Sequence, residues 1–276
     1  MVTSKSIYSC LVCNSSNIAS ILDIKAISVC HKFSKNTRKR DLIIGYCQDC
    51  SLVQMLDLFP ISEIVPIYKW INYKEPETHL DEVTKTITKK YITDKNIKIY
   101  GLSEKDYSLI ERFRKKGFLN SDIFTKKDLK INREIFGIES VQESINYDNI
   151  NKLKKRIGKI DLLISRHTFE HSYDPNTFFK SIFEIISNDG YLLLEVPDYK
   201  TSFLNYRYSY LWEEHTMYFT PRTIINTVIN LGFRVNYVKI FKYSHENCLT
   251  LLISRKSSKN FRVKKENLKI YDNYSK

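Results

Sequence analysis

Two rhythms of apolar residues run through the chain from residue 77 onward. Residues 77–91 carry Leu80, Val83 and Ile87 at helical spacing, which puts them on one face of a helix. The short apolar run at residues 97–100 ends at Gly101 and predicts a strand. Residues 107–116 return to helical spacing, with Leu109, Ile110 and Phe113 facing inward. Residues 117–124 hold a second strand and residues 138–141 a third short element. Residues 159–165 are apolar enough for a strand buried on both faces. Asp174-Pro175 then opens an amphipathic helix at residues 176–186, since Pro suits the first turn and Asp the position before it. Asn188-Asp189-Gly190 reads as a turn, and residues 191–196 as the next buried strand. A helix at residues 221–231 stops at Gly232, and residues 233–241 and 249–254 read as a closing antiparallel pair. Strands alternating with helices predict a doubly wound, right-handed α/β sheet. Such sheets bind ligands at the carboxyl ends of their strands. The segments to watch are therefore residues 101–106, residues 165–171 and Pro197-Asp198.

The N-terminal part follows a different pattern. Two C-x-x-C knuckles, Cys10-Leu-Val-Cys13 and Cys47-Gln-Asp-Cys50, are separated by a loop that contains Cys30 and His31. Four thiolates satisfy a closed, tetrahedral Zn2+ site, which is structural in character. Cys30 and His31 are therefore read as ordinary loop residues. Residues 51–55 form the last strand of a small zinc ribbon, and the prolines at 60 and 66 mark a linker. The predicted units are a zinc module at residues 1–65, an α/β domain at residues 66–255 and a loose basic tail at residues 256–276.

Composition adds little to this division. The chain has 276 residues and a formal charge of +13, from 44 Lys+Arg against 31 Asp+Glu. The lysines are scattered among Ile, Asn and Tyr, with none of the basic, aromatic-interleaved stripe of a single-strand binder. A nucleic-acid partner is thus not expected, although phosphate-bearing substrates would be attracted by the field. No apolar run approaches the ~20 residues of a membrane span. The first residues do not resemble a signal peptide. Metal-ligating thiolates fit a reducing compartment, so the expected location is the cytoplasm.

Three segments offer chemistry. After the first strand comes Gly101-Leu-Ser-Glu-Lys-Asp106, with a single glycine where nucleotide-binding loops carry several. After the later strand comes Ser165-Arg-His-Thr-Phe-Glu-His171, whose His, Arg and Glu side chains form a site or merely cap and pair near the next helix. The third is Glu213-Glu-His-Thr-Met-Tyr-Phe219, where a carboxylate beside an imidazole can tune a general base or anchor a loop.

Together the two knuckles, the tyrosine-bearing segment at residues 68–79, Arg166-His-Thr-Phe-Glu-His171, Glu195-Val-Pro-Asp198 and Glu213-Glu-His-Thr-Met-Tyr-Phe219 resemble class I methyltransferases with an N-terminal zinc-binding domain. Sugar-nucleotide C-methyltransferases are the best-known members. The resemblance implies a Rossmann-like methyltransferase sheet with a zinc-ribbon module. It further implies S-adenosylmethionine (SAM) as cofactor and a nucleotide-linked sugar as acceptor. Cofactor contacts are expected from Gly101, Ser103, Asp106, Asp122, Asp128, Ser165, Arg166 and His167. The acceptor side is expected to hold His215 as general base with Glu214 fixing its tautomer, together with Tyr68, Tyr73 and His79. The first loop departs from the family's small-residue run ending in Asn-Asp-Gly, because Tyr107 stands where that glycine would follow Asp106. The rival reading is a degenerate, non-catalytic fold that binds a partner through its zinc module.

Overall fold

The computed structural model describes residues 5–6, 9–29, 37–65, 77–132, 134, 137–244 and 246–255. The N-terminal module comprises strands β1 (Lys5–Ser6), β2 (Ile18–Ser28), β3 (Lys39–Cys47), β4 (Val53–Met55) and β5 (Asp57–Leu58), and helix α1 (Ile61–Ile64). The stretch between the knuckles is largely a hairpin, with β2 antiparallel to β3, where sequence reading gives a loop. Polar residues interrupt its alternation, and Ser20/Leu22 and Ile24/Ile27 mark irregularities in the register. That breaks the period-2 signal on which a strand assignment rests.

The larger unit begins with α2 (His79–Lys90), β6 (Ile99–Gly101), α3 (Tyr107–Lys115) and β7 (Ser121–Ile123). It continues with α4 (Ile138–Ser144), α5 (Tyr147–Ile157), β8 (Ile160–Arg166), α6 (Pro175–Ile185) and β9 (Ile186–Asp198). Then come α7 (Lys200–Leu204), β10 (Met217–Tyr218), α8 (Pro221–Asn230), β11 (Phe233–Phe241) and β12 (Asn247–Arg255). The six-stranded sheet has the order β11-β12-β9-β8-β6-β7. Strands β7, β6, β8 and β9 run parallel, and β12 is antiparallel to both β9 and β11.

Local chemistry explains the helix boundaries. Asp174 accepts the Thr177 N–H and Pro175 opens α6. Thr220 caps α8 reciprocally with Thr223. Asn146 caps α5, which ends at Gly158 with φ at 78°. The residues read as a turn at 188–190 lie inside β9. They fall where the pairing jumps from Ile160↔Ile186 to Leu162↔Tyr191, so the strand bulges there instead of turning back.

Both faces of the sheet are covered. Leu163, Leu192, Leu194 and Leu251 pack with Phe178, Phe179 and Phe183 of α6 and Ile224 and Val228 of α8. Leu162, Ile164, Leu193 and Leu252 pack with Leu80, Val83 and Ile87 of α2 and Phe113 of α3. Each fully buried side chain of this kind stabilises the fold by about 1.5–3 kcal/mol. The N-terminal module is built into the same body. Its four-stranded sheet has the order β10-β4-β3-β2, so its edge strand comes from residues 217–218 of the larger unit. Cys10, Val12, Cys47 and Leu52 share a core with Phe169, Met217 and Phe219.

Candidate active site

The parallel strands end together at one edge of the sheet. At the end of β6 a Cβ on Gly101 would come within 2.6 Å of the Asp106 Cβ, so glycine lets the chain fold back tightly. Asp106 sits wholly inside that turn. Its Oδ2 accepts the Ser103 N–H at 2.9 Å and its Oδ1 accepts the Arg166 N–H at 3.0 Å. The carboxylate thus ties the loop after β6 to the end of β8. Burial pushes the Asp106 carboxyl up to about 7, against the pull of Arg166.

Arg166 leads into a buried ionic network. Its Nε donates to Glu195 Oε1 at 2.8 Å, and its Nη1 donates to Glu77 Oε1, the Lys105 carbonyl and Ser108 Oγ. His79 Nε2 lies 2.8 Å from Glu195 Oε2, which also accepts from Thr250 at 3.2 Å. His167 Nε2 stands 3.3 Å from Glu195 Oε1. On its other side His79 Nδ1 meets the Tyr243 hydroxyl at 2.6 Å. Burial opposes the charge on Glu195, but Arg166 beside it holds the carboxyl well below the usual range. The Arg166 guanidinium stays protonated for the reciprocal reason.

A second polar cluster lies alongside. Thr216 donates its N–H and its hydroxyl to the Glu170 carbonyl, at 2.9 and 3.0 Å, and the same hydroxyl lies 2.7 Å from the Ser172 carbonyl. These bonds clamp the segment after β8 to the segment before β10. The clamp brings the rings of His171 and His215 to a centroid distance of 4.5 Å at 83°. His171 Nδ1 donates to the Glu214 carbonyl at 2.9 Å, and His215 Nδ1 meets the Tyr199 hydroxyl at 2.5 Å. Trp212 packs edge-on to the His215 ring. Burial, and then the neighbouring His171, hold the His215 imidazole well below its ordinary range, so it is neutral at physiological pH.

The four knuckle cysteines also converge. The Cys10 and Cys50 sulfurs are 3.5 Å apart, those of Cys13 and Cys47 are 3.6 Å apart, and all four lie within 4.8 Å of one another. Tetrahedral Zn–S bonds of ~2.3 Å imply S···S separations of ~3.8 Å, and the cluster fits that spacing. The knuckles are built alike. The Asn14 N–H returns to the Cys10 carbonyl and the Ser51 N–H to the Cys47 carbonyl, with Asn14 and Ser51 at φ of 60° and 66°.

Gly101, Ser103, Asp106, Ser165, Arg166 and His167 thus gather at one edge, and His79 joins them through Glu195. Asp122 pairs in register with Tyr100, next to Gly101. Asp122 and Asp128 line a cavity of about 480 Å³ with Tyr100, Lys130 and Lys152, separate from the Arg166 network. A tight turn after the first parallel strand and a carboxylate on the adjoining strand suit a nucleoside-bearing cofactor. Glu214 meets His171 through its carbonyl, while the bond to the His215 ring comes from Tyr199. Tyr68 and Tyr73 lie outside the described residues. The chain also uses Tyr199, Tyr243 and Thr250, which no local motif marks, and Glu195, which sequence reading places within Glu195-Val-Pro-Asp198 without a role. A charged residue inside the apolar run of β9 is the signal that points to a buried role for Glu195.

A model of a methyltransferase-domain family matches residues 101–238, half of the chain. No curated protein matches the sequence. Among solved structures, the magnesium protoporphyrin IX methyltransferase of Synechocystis PCC 6803, with bound SAH, is similar at 9% identity and a TM-score of 0.40, over 65% of this chain and 83% of that one. The 1,6-didemethyltoxoflavin-N1-methyltransferase of Burkholderia thailandensis is similar at 6% identity and a TM-score of 0.41, over 65% and 80%. A SAM-dependent methyltransferase of Aquifex aeolicus is similar at 10% identity and a TM-score of 0.39, over 65% and 93%.

Proposed function

The chain belongs to this methyltransferase-domain family, and on that premise we propose that it moves a methyl group from SAM to a small-molecule acceptor, a nucleotide-linked sugar. The observation that carries the reading is the meeting of two polar clusters at one sheet edge. Asp106 joins the ends of β6 and β8, and Thr216 clamps the His215 segment beside them. When bound, SAM supplies the electrophilic methyl group. Gly101 lets the loop after β6 fold back over Asp106, and Asp122 offers a carboxylate to the ribose hydroxyls. Asp106 and Arg166 hold the two loops in register, so that positioning carries much of the rate.

The acceptor end is formed by Glu170, His171, Glu214 and His215. His215 is neutral and takes the acceptor's proton, with Tyr199 fixing its tautomer. Glu214 shapes the wall beside it, and Tyr68 and Tyr73 belong to the acceptor side through the family resemblance. A structural Zn2+ sits on Cys10, Cys13, Cys47 and Cys50 and cross-links the two knuckles. Its thiolate ligands fit a reducing, cytoplasmic setting. The sugar-nucleotide acceptor is supported by the resemblance and by a net charge of +13 that attracts phosphate.

The acceptor class is tested by incubating the protein with SAM and a panel of nucleoside-diphosphate deoxysugars, including keto sugars, followed by mass spectrometry. A methylated sugar nucleotide is the expected product. Methylation of small molecules outside that panel, with none inside it, removes the sugar assignment while keeping the enzyme class.

A further inference from the structure

Glu170 has no described role in holding the fold through its side chain. It is fully buried, and neither carboxylate oxygen has a hydrogen-bond partner. The His167 Nδ1 stands 3.5 Å from Oε1, beyond a good hydrogen bond. An ionised carboxylate in such a position carries a desolvation penalty that a cation is needed to offset. The donors for a cation are at hand. Glu170, His171 and His215 each present one ligating atom, and the three atoms lie within 4.8 Å of one another.

Each imidazole has one ring nitrogen held by a neighbour. A ligating histidine holds its other ring nitrogen on a carbonyl, carboxylate or similar group, which fixes the tautomer. The Glu214 carbonyl does this for Nδ1 of His171, and the Tyr199 hydroxyl holds Nδ1 of His215. With Nδ1–H donated to a carbonyl, the lone pair of His171 is at Nε2. The backbone around the three residues is fixed as well, since Thr216 bonds the carbonyls of Glu170 and Ser172. Metal–nitrogen and metal–oxygen bonds of ~2.0–2.2 Å bring such donors to ~3.3 Å apart, a contraction that side-chain rotation can supply.

We propose that Glu170, His171 and His215 bind one divalent first-row transition-metal ion at the acceptor end of the site, separate from the cysteine cluster. Two imidazoles and one carboxylate suit Zn2+, Co2+, Fe2+ or Mn2+ better than the all-oxygen preference of Ca2+ or Mg2+. Three protein donors leave coordination positions open for water or for an oxygen of the acceptor. The ligand class follows: an acceptor that offers a hydroxyl or keto oxygen to the ion. The inference rests on the proposed reading of where the acceptor lies. It assigns the second nitrogen of His215 to the ion in place of the acceptor's proton.

The test is a titration of the full chain with Co2+, after one equivalent of Zn2+ per chain has been added to fill the cysteine cluster. Zn2+ binds thiolates more tightly than Co2+ and stays there. Visible absorption and calorimetry should report one saturable Co2+ per chain, lost in Glu170→Gln and in His215→Gln. Thermal melts show which variants remain folded, and Glu170→Gln keeps the shape of the side chain. No saturable Co2+, or the same Co2+ affinity in a folded Glu170→Gln variant, overturns the site and leaves His215 as the proton acceptor. Titration of the same samples with SAM separates the two readings. SAM binding without Co2+ binding rejects the metal site alone, and Co2+ binding without SAM binding rejects the proposed function alone.

Discussion

At the scale of the residue, the molecule depends on charges that are buried and matched. Arg166 and Glu195 are both almost fully enclosed, and their pairing makes each tolerable to the other. Glu195→Ala leaves the guanidinium with only the partly exposed Glu77 as a carboxylate partner, and breaking a buried pair from one side costs about 3–5 kcal/mol. Denaturant unfolding should read that loss. The pH dependence has a definite sign. The Glu195 carboxyl lies well below its usual value, so its contribution is complete above the unfolded pKa of ~4.3 and is lost as pH falls through the folded one. His215 acts in the same direction. Its folded pKa is lowered, so stability begins to fall as pH drops below ~6.5. In His215→Gln that part of the acid limb should flatten, as followed by melting temperature against pH.

Catalysis supplies another residue-scale prediction. Where His215 takes the acceptor's proton and holds no metal ion, general-base assistance of about 10²–10⁴-fold is lost from turnover in His215→Ala, with SAM affinity nearly unchanged. A folded variant with normal turnover would take His215 out of the chemistry. Candidate residues were legible where a short motif carries them. The His171 and His215 segments both announce themselves, and so do the four cysteines. Tyr199 and Thr250 do not, because they reach the site through tertiary contacts with His215 and Glu195.

At the scale of the element, legibility follows from pattern strength. α2, α3, α6 and α8 carry strong helical periods, α6 and α8 with clear caps, and each lies within a residue or two of its sequence-read limits. α5 is different. Its run of Lys152, Lys154, Lys155 and Arg156 reads as solvated surface, yet Ile150 and Leu153 are buried beneath it. Two apolar anchors in eleven residues are too few to declare a helix against so many charges. The β2–β3 hairpin was hidden by its irregular register. The turn after β6 shows how one position controls an element. Gly101→Ala would drive a methyl group to within 2.6 Å of the Asp106 Cβ, and overpacking of this kind costs about 1–3 kcal/mol. The expected result is a destabilised protein with weakened SAM binding. Unchanged stability would mean that the loop relaxes and that Asp106 does not need its present position.

At the scale of the whole molecule, the N-terminal module is more than an appendage. β4 pairs with β10, and the Met55 N–H donates to the Thr216 carbonyl. The cysteine cluster is therefore joined, through one short sheet, to the segment that carries Glu214 and His215. Removal of zinc by a chelator should loosen residues 43–55 and, through this sheet, residues 213–219. Hydrogen exchange should rise in both segments, while β8 and β9 keep their protection. A rise confined to the N-terminal residues would mean that the module is energetically independent of the site.

The central claim is that this sheet edge still binds SAM, although its first loop carries one glycine and a buried Asp106 in place of a glycine-rich turn. Calorimetric titration with SAM and with its demethylated product tests it most directly, because neither needs a known acceptor. The account predicts saturable binding of both at one site per chain, weakened in Asp122→Ala. A folded protein that gives no binding heat with either ligand, over a range of temperatures, would contradict it and make the chain a methyltransferase fold without methyl transfer.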